Sequence, residues 1–339
     1  MRKLREGHGL EHMLIGFLIL LLFITIASML FFHSLMLDTN NTGDITQLKE
    51  KKHYVFISGE YSNPTIDDLY DSIKENVEKN GALIEYFGKK LAVEYSVSEL
   101  IELATHAKVD GMFIVGEDNS KVASAINQAL AEHIPVITVY KDCSISKRSC
   151  FVGINGYALG ESFARKLESY HGDKEKNVYI IMNSVQDKAV MKGIRVYLNQ
   201  KKEQEKFHLK EIQIESQEKF TSEEMIRELV LSKEEKADVL LCLTSVDTSS
   251  AYQILVDYNK VGKINVLGYG TSEPILEGIQ KGIITATVAI DIKEMGALSV
   301  KAMLEHEQNS NARTTISLPV EFVDQGMLSE YRKRKGGLK

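Results

Sequence analysis

Two doubly wound α/β lobes with parallel sheets, preceded by one transmembrane helix, are what this 339-residue sequence predicts. Three observations carry that expectation. From Tyr54 onward, short continuous apolar runs alternate with amphipathic helical stretches, the pattern of a parallel sheet covered on both faces. The alternation breaks at a polar loop, 141–149, and then restarts, so there are two such units. Upstream, residues 14–37 contain no Asp, Glu, Lys or Arg. As a helix rising about 1.5 Å per residue that stretch would be about 36 Å long, more than a bilayer core of about 30 Å.

Arg2, Lys3 and Arg5 precede the apolar stretch, and the first basic residue after it is Lys49. Cationic flanks stay cytoplasmic, so the sequence predicts a single-pass cell-membrane protein: 1–13 inside, 14–37 spanning, and the remainder outside the cytoplasm. The stretch exceeds the apolar core of a secretory signal and has no neighbouring Cys for lipidation, which points to an uncleaved anchor. Residues 38–52, with Asn40-Asn41-Thr42-Gly43-Asp44, read as a linker.

In the first unit, 54–57 is a strand. Thr65 has the character of an N-cap with Asp68 three residues on, and Ile66, Leu69, Ile73 and Val77 form a helical stripe ended by Gly81. A strand at 83–87 precedes a helix capped by Ser98 and carrying Leu100, Ile101, Ala104 and Ala107. A strand at 112–115, a helix over 119–132 and a strand at 135–139 complete the unit. In the second, strands at 151–154, 178–182, 209–215, 239–243 and 264–269 are separated by helices near 158–170, 188–200, 222–232 and 248–261.

The net charge of −6 mixes both signs along the chain and offers no basic face for nucleic acid. The one compact basic run, Arg332-Lys333-Arg334-Lys335, reads as a solvated C-terminal tail within 326–339. Cys143 and Cys150 lie close in sequence in an extracytoplasmic compartment where disulfides persist, which leaves two readings open, a disulfide between them or two unpaired thiols; Cys242, within an apolar run, reads as a buried thiol.

Enzyme signatures are missing: no G-x-S-x-G elbow, no Walker loop and no H-E-x-x-H. Gly268-Tyr269-Gly270 lacks the third glycine of a dinucleotide fingerprint, and His8 and His12 lack a third ligand. No cofactor or metal is therefore expected, and the chain is not expected to be an enzyme. Doubly wound folds bind ligands beyond the carboxyl ends of their strands. Those ends hold Tyr61 and Asn63 beside Glu60, then Tyr140 and Lys141 beside Asp142, then Asn155, then Thr244, Ser245 and Asp247, and finally Asp291. Amides, hydroxyls, carboxylates and aromatic rings together suit a polyhydroxylated ligand, because they pair hydroxyls as both donors and acceptors.

Several segments carry a family resemblance. Val109-Asp110-Gly111 followed by an apolar strand, His133-Ile134-Pro135-Val136-Ile137-Thr138, and Phe151-Val152-Gly153-Ile154-Asn155-Gly156-Tyr157-Ala158-Leu159-Gly160 resemble signatures of the type 1 periplasmic binding proteins. Val266-Leu267-Gly268-Tyr269 and the stretch 282–296 are similar to two more, and the matches run in order over about 54–323. That family includes ribose- and galactose-binding proteins and the ligand cores of lactose-repressor-like regulators. The resemblance implies two lobes joined by three crossings, one holding 53–152 and 292–318 and the other 153–291 and 319–325, closing on a ligand by hinge motion.

The pocket departs from the sugar-binding pattern. Thr65 and Ile66 stand where aromatics stack on sugars, Tyr140 where a carboxylate is usual, and Asn155 where the crossover has Asp. Val190 replaces a ligand-gripping Arg, and Gly270 replaces an Asp; Lys141 preserves a basic neighbour. The resemblance implies a receptor for a sugar or sugar-like small molecule, held at the membrane and reporting occupancy to a histidine kinase. The alternatives are the carbohydrate-binding subunit of an ABC importer, working with a permease, and a ligand-free protein-interaction module on the same fold. A repressor is disfavoured, because a membrane segment occupies the helix-turn-helix position.

Overall fold

A computed structural model describes residues 16–17, 19–30, 51–61, 63–91, 93–169, 175–182, 187–214, 219–232, 236–309 and 314–336. The chain forms two units, Met1–Lys51 and Lys52–Lys339. In the first, residues 16–17 and 19–30 are helical and expose Phe17, Phe23 and Met29. Thr25 and Ser28 turn their hydroxyls back to the carbonyls of Leu22 and Thr25. The rest of the expected 14–37 span, with 1–13 and most of the linker, lies outside the described residues. Among the described residues no helix is long and apolar enough to cross a membrane.

The second unit contains two six-stranded sheets. The first is built from β1 (His53–Ile57), β2 (Leu83–Tyr86), β3 (Gly111–Ile114), β4 (Val136–Val139), β5 (Cys150–Gly153) and β11 (Thr315–Ser317). Its order is β11-β5-β4-β3-β1-β2, and every pairing is parallel. The second uses β6 (Lys176–Met182), β7 (Phe207–Gln213), β8 (Val239–Cys242), β9 (Asn265–Tyr269), β10 (Ala286–Ala289) and β12 (Glu321–Asp324), in the order β12-β10-β9-β8-β6-β7. Here β12 runs antiparallel to β10, a departure from the all-parallel expectation. Strands β3, β4, β5, β8 and β10 are buried along their whole length, as central strands of a two-sided sheet must be. The edge strand β2 is half exposed, with Leu83 and Glu85 open to solvent.

The helices are α1 (Pro64–Lys79), α2 (Val97–His106), α3 (Ser120–Ala131), α4 (Gly156–Ser169), α5 (Asp187–Lys201), α6 (Lys219–Leu231), α7 (Ser245–Asp257), α8 (Glu273–Gln280), α9 (Ile292–Gln308) and α10 (Leu328–Gly336). Helices α1 and α9 pack on one face of the first sheet, and α4 and α5 on one face of the second. One core runs through both lobes, from Ile66, Ile73 and Met295 through Ile154, Ile290 and Leu318 to Phe163 and Ile194. The opposite faces have separate cores, under α2 and α3 in the first lobe and under α6, α7 and α8 in the second. The tightest helix crossing is α4 on α5: a Cβ on Gly160 would collide with the carbonyl oxygen of Val190, and one on Gly193 with that of Tyr157.

Two expected helix starts move. Asn63, not Thr65, caps α1, its Oδ1 accepting from the Thr65 amide at 3.1 Å, because Pro64 has no N–H to lose at the first helical position. Ser96, not Ser98, caps α2, in a capping box with Glu99. Of the two readings of Cys143 and Cys150, the structure has the unpaired one: both are free and buried. Cys150 packs in the core shared with α1 and α9, while Cys143 packs with Val136 and Ile114 on the opposite side of the sheet. The basic tail is also corrected. Helix α10 docks on α8 and β12 with Leu328 and Tyr331 buried; Tyr331 donates its hydroxyl to Thr271 Oγ1 at 2.9 Å, and Arg332 and Arg334 pair with Glu273 and Glu321.

The chain passes between the sheets three times, from β5 to α4, from β10 to α9 and from β11 to β12. The first and third crossings are tied together, Leu318 N–H donating to Gly153 O at 2.9 Å and Asn155 N–H to Ser317 Oγ at 3.4 Å.

Candidate functional site: the cleft between the lobes

The carboxyl ends of both sheets open on one cleft of about 1480 Å³. The first lobe contributes Tyr61, Asn63, Tyr140 and Lys141, and the second Asn155, Thr244, Ser245 and Asp247. Asp291 is the exception among the expected residues. It is exposed outside the cleft lining and caps α9, its Oδ1 accepting from the Glu294 amide at 2.9 Å.

On the first lobe, Tyr140 has a φ of 66°, a region that side chains other than glycine rarely occupy. The Lys141 N–H donates back to Val139 O at 2.7 Å, closing a three-residue turn that ends β4. Such strain persists where surrounding structure enforces it, and it gathers at functional sites. The turn brings the Tyr140 ring against Tyr269 of the other lobe, with centroids 6.4 Å apart at 61°. Burial, with the Tyr269 side chain and the Glu60 charge nearby, pushes the Tyr140 hydroxyl well above its ordinary value; burial does the same to Tyr269. Both rings therefore remain neutral. Tyr61 extends the aromatic surface, tilted on Tyr86 at 5.9 Å.

Lys141 is ion-paired with Glu60, which also accepts from Asn63 Nδ2 at 2.8 Å. Burial alone would raise the Glu60 carboxyl, but the Lys141 charge and the hydrogen bonds from Lys141 and Asn63 outweigh it and hold the group below its ordinary range. Next door, Arg148 forks onto Asp142 with Nε and Nη2, and Asp142 also accepts from Thr138 Oγ1 at 2.8 Å. That fork fixes the loop between β4 and β5. Gly116 is required there, because a Cβ would strike the Asp142 backbone.

Helix starts shape the second wall. Asn155 Oδ1 accepts from the Ala158 amide at 3.1 Å at the head of α4, leaving its Nδ2 without a partner among the described residues. Thr244 caps α7 by accepting from the Asp247 amide at 3.1 Å and donating to Asp247 Oδ2 at 2.6 Å. Asp247 is almost fully buried and also accepts from Ser222, so Thr244 and Asp247 hold the helix terminus together while Ser245 and Gln253 edge the open space. Val190 lines the cleft as expected. Gly270 has a φ of 88°, and a Cβ there would come within 2.7 Å of Ser245 Cβ, so this backbone has no room for an aspartate.

Tyr269, Asp187, Glu94 and Gln253 also line the cleft, and the sequence reading did not commit to them. The strand-end rule reaches Tyr269 at the end of β9 and Glu94 after β2; Asp187 opens α5 after β6. Among the described residues no histidine lines the cleft, and no group of three His, Cys, Asp or Glu is placed to hold a metal. The described lining offers hydroxyls, amides, tyrosine rings and charged side chains.

A family model described as periplasmic binding protein domain matches residues 54–311. No curated protein matches the chain. Among solved structures, the chain is similar to GanP, a glucose-galactose binding protein from Geobacillus stearothermophilus, at 21% identity and a TM-score of 0.73, over 82% of this chain and 99% of that one. It is similar to an ABC transporter solute-binding protein from Burkholderia graminis in complex with D-arabinose, at 19% identity and a TM-score of 0.73, over 84% and 99%. It is also similar to a chain of the XylFII-LytSN complex, at 22% identity and a TM-score of 0.69, over 81% and 98%. These likenesses are of fold. With a family model spanning most of its length, the chain belongs to the periplasmic binding protein domain family, which is non-enzymatic.

Proposed function

We propose that this chain is an extracytoplasmic receptor for a sugar or sugar-like solute, anchored by residues 14–37 and reporting occupancy to a membrane sensor kinase. The observation that carries the reading is the cleft: about 1480 Å³ at the carboxyl ends of two sheets, walled by hydroxyls, amides and tyrosine rings. Tyr61, Tyr140 and Tyr269 offer ring faces in place of the aromatics that Thr65 and Ile66 replace, and Asn155 Nδ2 offers a donor. A ligand touching both walls favours the closed arrangement through its extra contacts there. The charge-free stretch 14–37, flanked by Arg2, Lys3 and Arg5, supports a permanent tether, and the similarity to XylFII, solved with LytSN, supports a signalling partner.

The similarity to ABC transporter solute-binding proteins favours a second reading, the binding subunit of an importer. Both readings need a ligand. A thermal-shift screen of the full chain in mild detergent against pentoses and hexoses tests this, since a ligand at about a hundred times its Kd adds about 2.7 kcal/mol of stability. A shift that Asn155→Ala diminishes supports the receptor. A flat response to every sugar would turn the assignment to the interaction module.

A further inference from the structure

We infer that Tyr140 and Tyr269 form a latch that holds the two lobes together across the cleft before any solute arrives. The inference concerns how this site is regulated and does not depend on what the solute is. The two rings belong to different lobes, Tyr140 just after β4 and Tyr269 at the end of β9, and both line the cleft. Their centroids lie 6.4 Å apart at 61°, within the range in which the edge of one ring meets the face of another favourably. Other ring pairs of the domain, such as Phe56 with Tyr86 and Phe163 with Phe322, lie within one lobe.

Each ring is carried on backbone that its own lobe holds. Tyr140 N–H donates to Val152 O at 3.0 Å, which ties it to β5, and its φ of 66° is kept by the turn that Lys141 N–H closes on Val139 O. Lys141 is held in turn by Glu60. A residue other than glycine keeps such a φ where its surroundings enforce it. In the second lobe, Tyr269 N–H donates to Thr248 Oγ1 at 2.9 Å. Gly270 N–H donates to Val288 O at 2.9 Å, and Thr287 Oγ1 donates to Gly270 O at 2.7 Å. Neither backbone is free to follow the other lobe, so the rings part when the lobes part.

The latch stands beside the hinge. Strand β4 neighbours β5, from which the first crossing leaves, and β9 neighbours β10, from which the second leaves. The tyrosines therefore meet one strand in from the crossings. Opening the cleft gives up their contact, and closing restores it. Burial keeps both phenols protonated, so no charge opposes the contact near neutral pH. An aromatic pair of this geometry biases a two-state equilibrium by about two- to tenfold. That bias acts without solute, so a receptor that reports closure carries a basal signal whose level the latch sets.

The test measures distances between spin labels by double electron–electron resonance, on the full chain in mild detergent with no sugar present. Lys121→Cys and Glu224→Cys place one label on each lobe at exposed positions, while the three native thiols are buried. In this background Tyr269→Leu removes one ring, and Tyr140→Asn removes the other with a residue that tolerates the same φ. Melting temperatures identify the folded variants. The unsubstituted pair gives mainly the short distance, and each variant lowers the ratio of short to long distances about two- to tenfold. The double variant goes no further than the larger single effect, because both substitutions remove one shared contact. A long distance that already dominates with both tyrosines present overturns the latch. So do unchanged distributions in the folded variants, or a double variant whose effect is the product of the single fold-changes. The receptor reading is untouched by any of these outcomes, since it stands or falls on the sugar screen.

Discussion

Replacing Lys141 by Met keeps most of the aliphatic stem and removes the charge that Glu60 depends on. The side chains of Lys141 and Glu60 are 31% and 26% exposed, so solvent screens part of the pair but not most of it. Glu60 would keep its burial and the 2.8 Å hydrogen bond from Asn63, with Glu117 as a negative neighbour. An ionised group stranded in this way costs about 1–3 kcal/mol, and the partial exposure argues for the lower half of that range. At about 2–4 °C per kcal/mol, the melting temperature at pH 7 should fall by about 2–8 °C. The dependence on pH has a definite sign. In the native chain the Glu60 carboxyl is held below its ordinary 4.5, so its contribution is complete above that pH and is lost as pH falls through the lowered value. In K141M burial dominates and the carboxyl rises above 4.5, so the penalty grows as pH rises through that region. The gap between the two proteins should be widest near neutrality and close at acid pH, where Glu60 is protonated in both. Calorimetric melts of both proteins from about pH 3 to pH 7 measure it, with K141M/E60Q recovering most of the loss. A gap that does not change with pH would refute the pairing.

Gly160→Ala should destabilise the domain by about 1–3 kcal/mol in denaturant titration, because the new Cβ meets the Val190 carbonyl oxygen. Val190 lines the cleft, so the same substitution should also weaken ligand binding. Alkylation in denaturant without reductant should label Cys143, Cys150 and Cys242, read by intact mass, since all three are free thiols. Deleting 327–339 should lower the melting temperature, because it strips Leu328 and Tyr331 from the core under α8, each contributing about 1.5–3 kcal/mol.

The fold was legible because its signals are coarse and repeated. Fully buried strands such as β3 and β8 read as unbroken apolar runs, and α1 shows its stripe of Ile66, Leu69, Ile73 and Val77. Where charge obscured spacing, the reading failed: Leu328 and Tyr331 sit three apart on α10, but Arg332 to Lys335 dominate the segment's character. Nearness in sequence could not decide between the two readings of Cys143 and Cys150, because a strand and its preceding loop can direct two residues to opposite faces of a sheet. In the site, the strand-end rule located the cleft but could not tell which polar atoms remain for a ligand. Asn63, Asn155, Thr244 and Asp291 each spend an acceptor on a helix N-terminus, since the end of a strand here is also the start of the next helix. Lys141 and Glu60 look like two ligand handles in sequence and are one ion pair in three dimensions.

The most direct test of the account is whether the cleft between the lobes holds the solute. One residue from each wall, Tyr140 and Asn155, is replaced by Ala, and Ser245 by Ala at the head of α7. Affinity for the best sugar from the screen is then measured by calorimetry on chains whose melting temperatures confirm that they are folded. A lost hydrogen bond costs about 0.5–1.5 kcal/mol, so Asn155→Ala and Ser245→Ala should each weaken binding about two- to tenfold. Tyr140→Ala removes a ring as well and should cost more. Wild-type affinity in all three variants would contradict the account, and the solute would have to be sought elsewhere on the molecule.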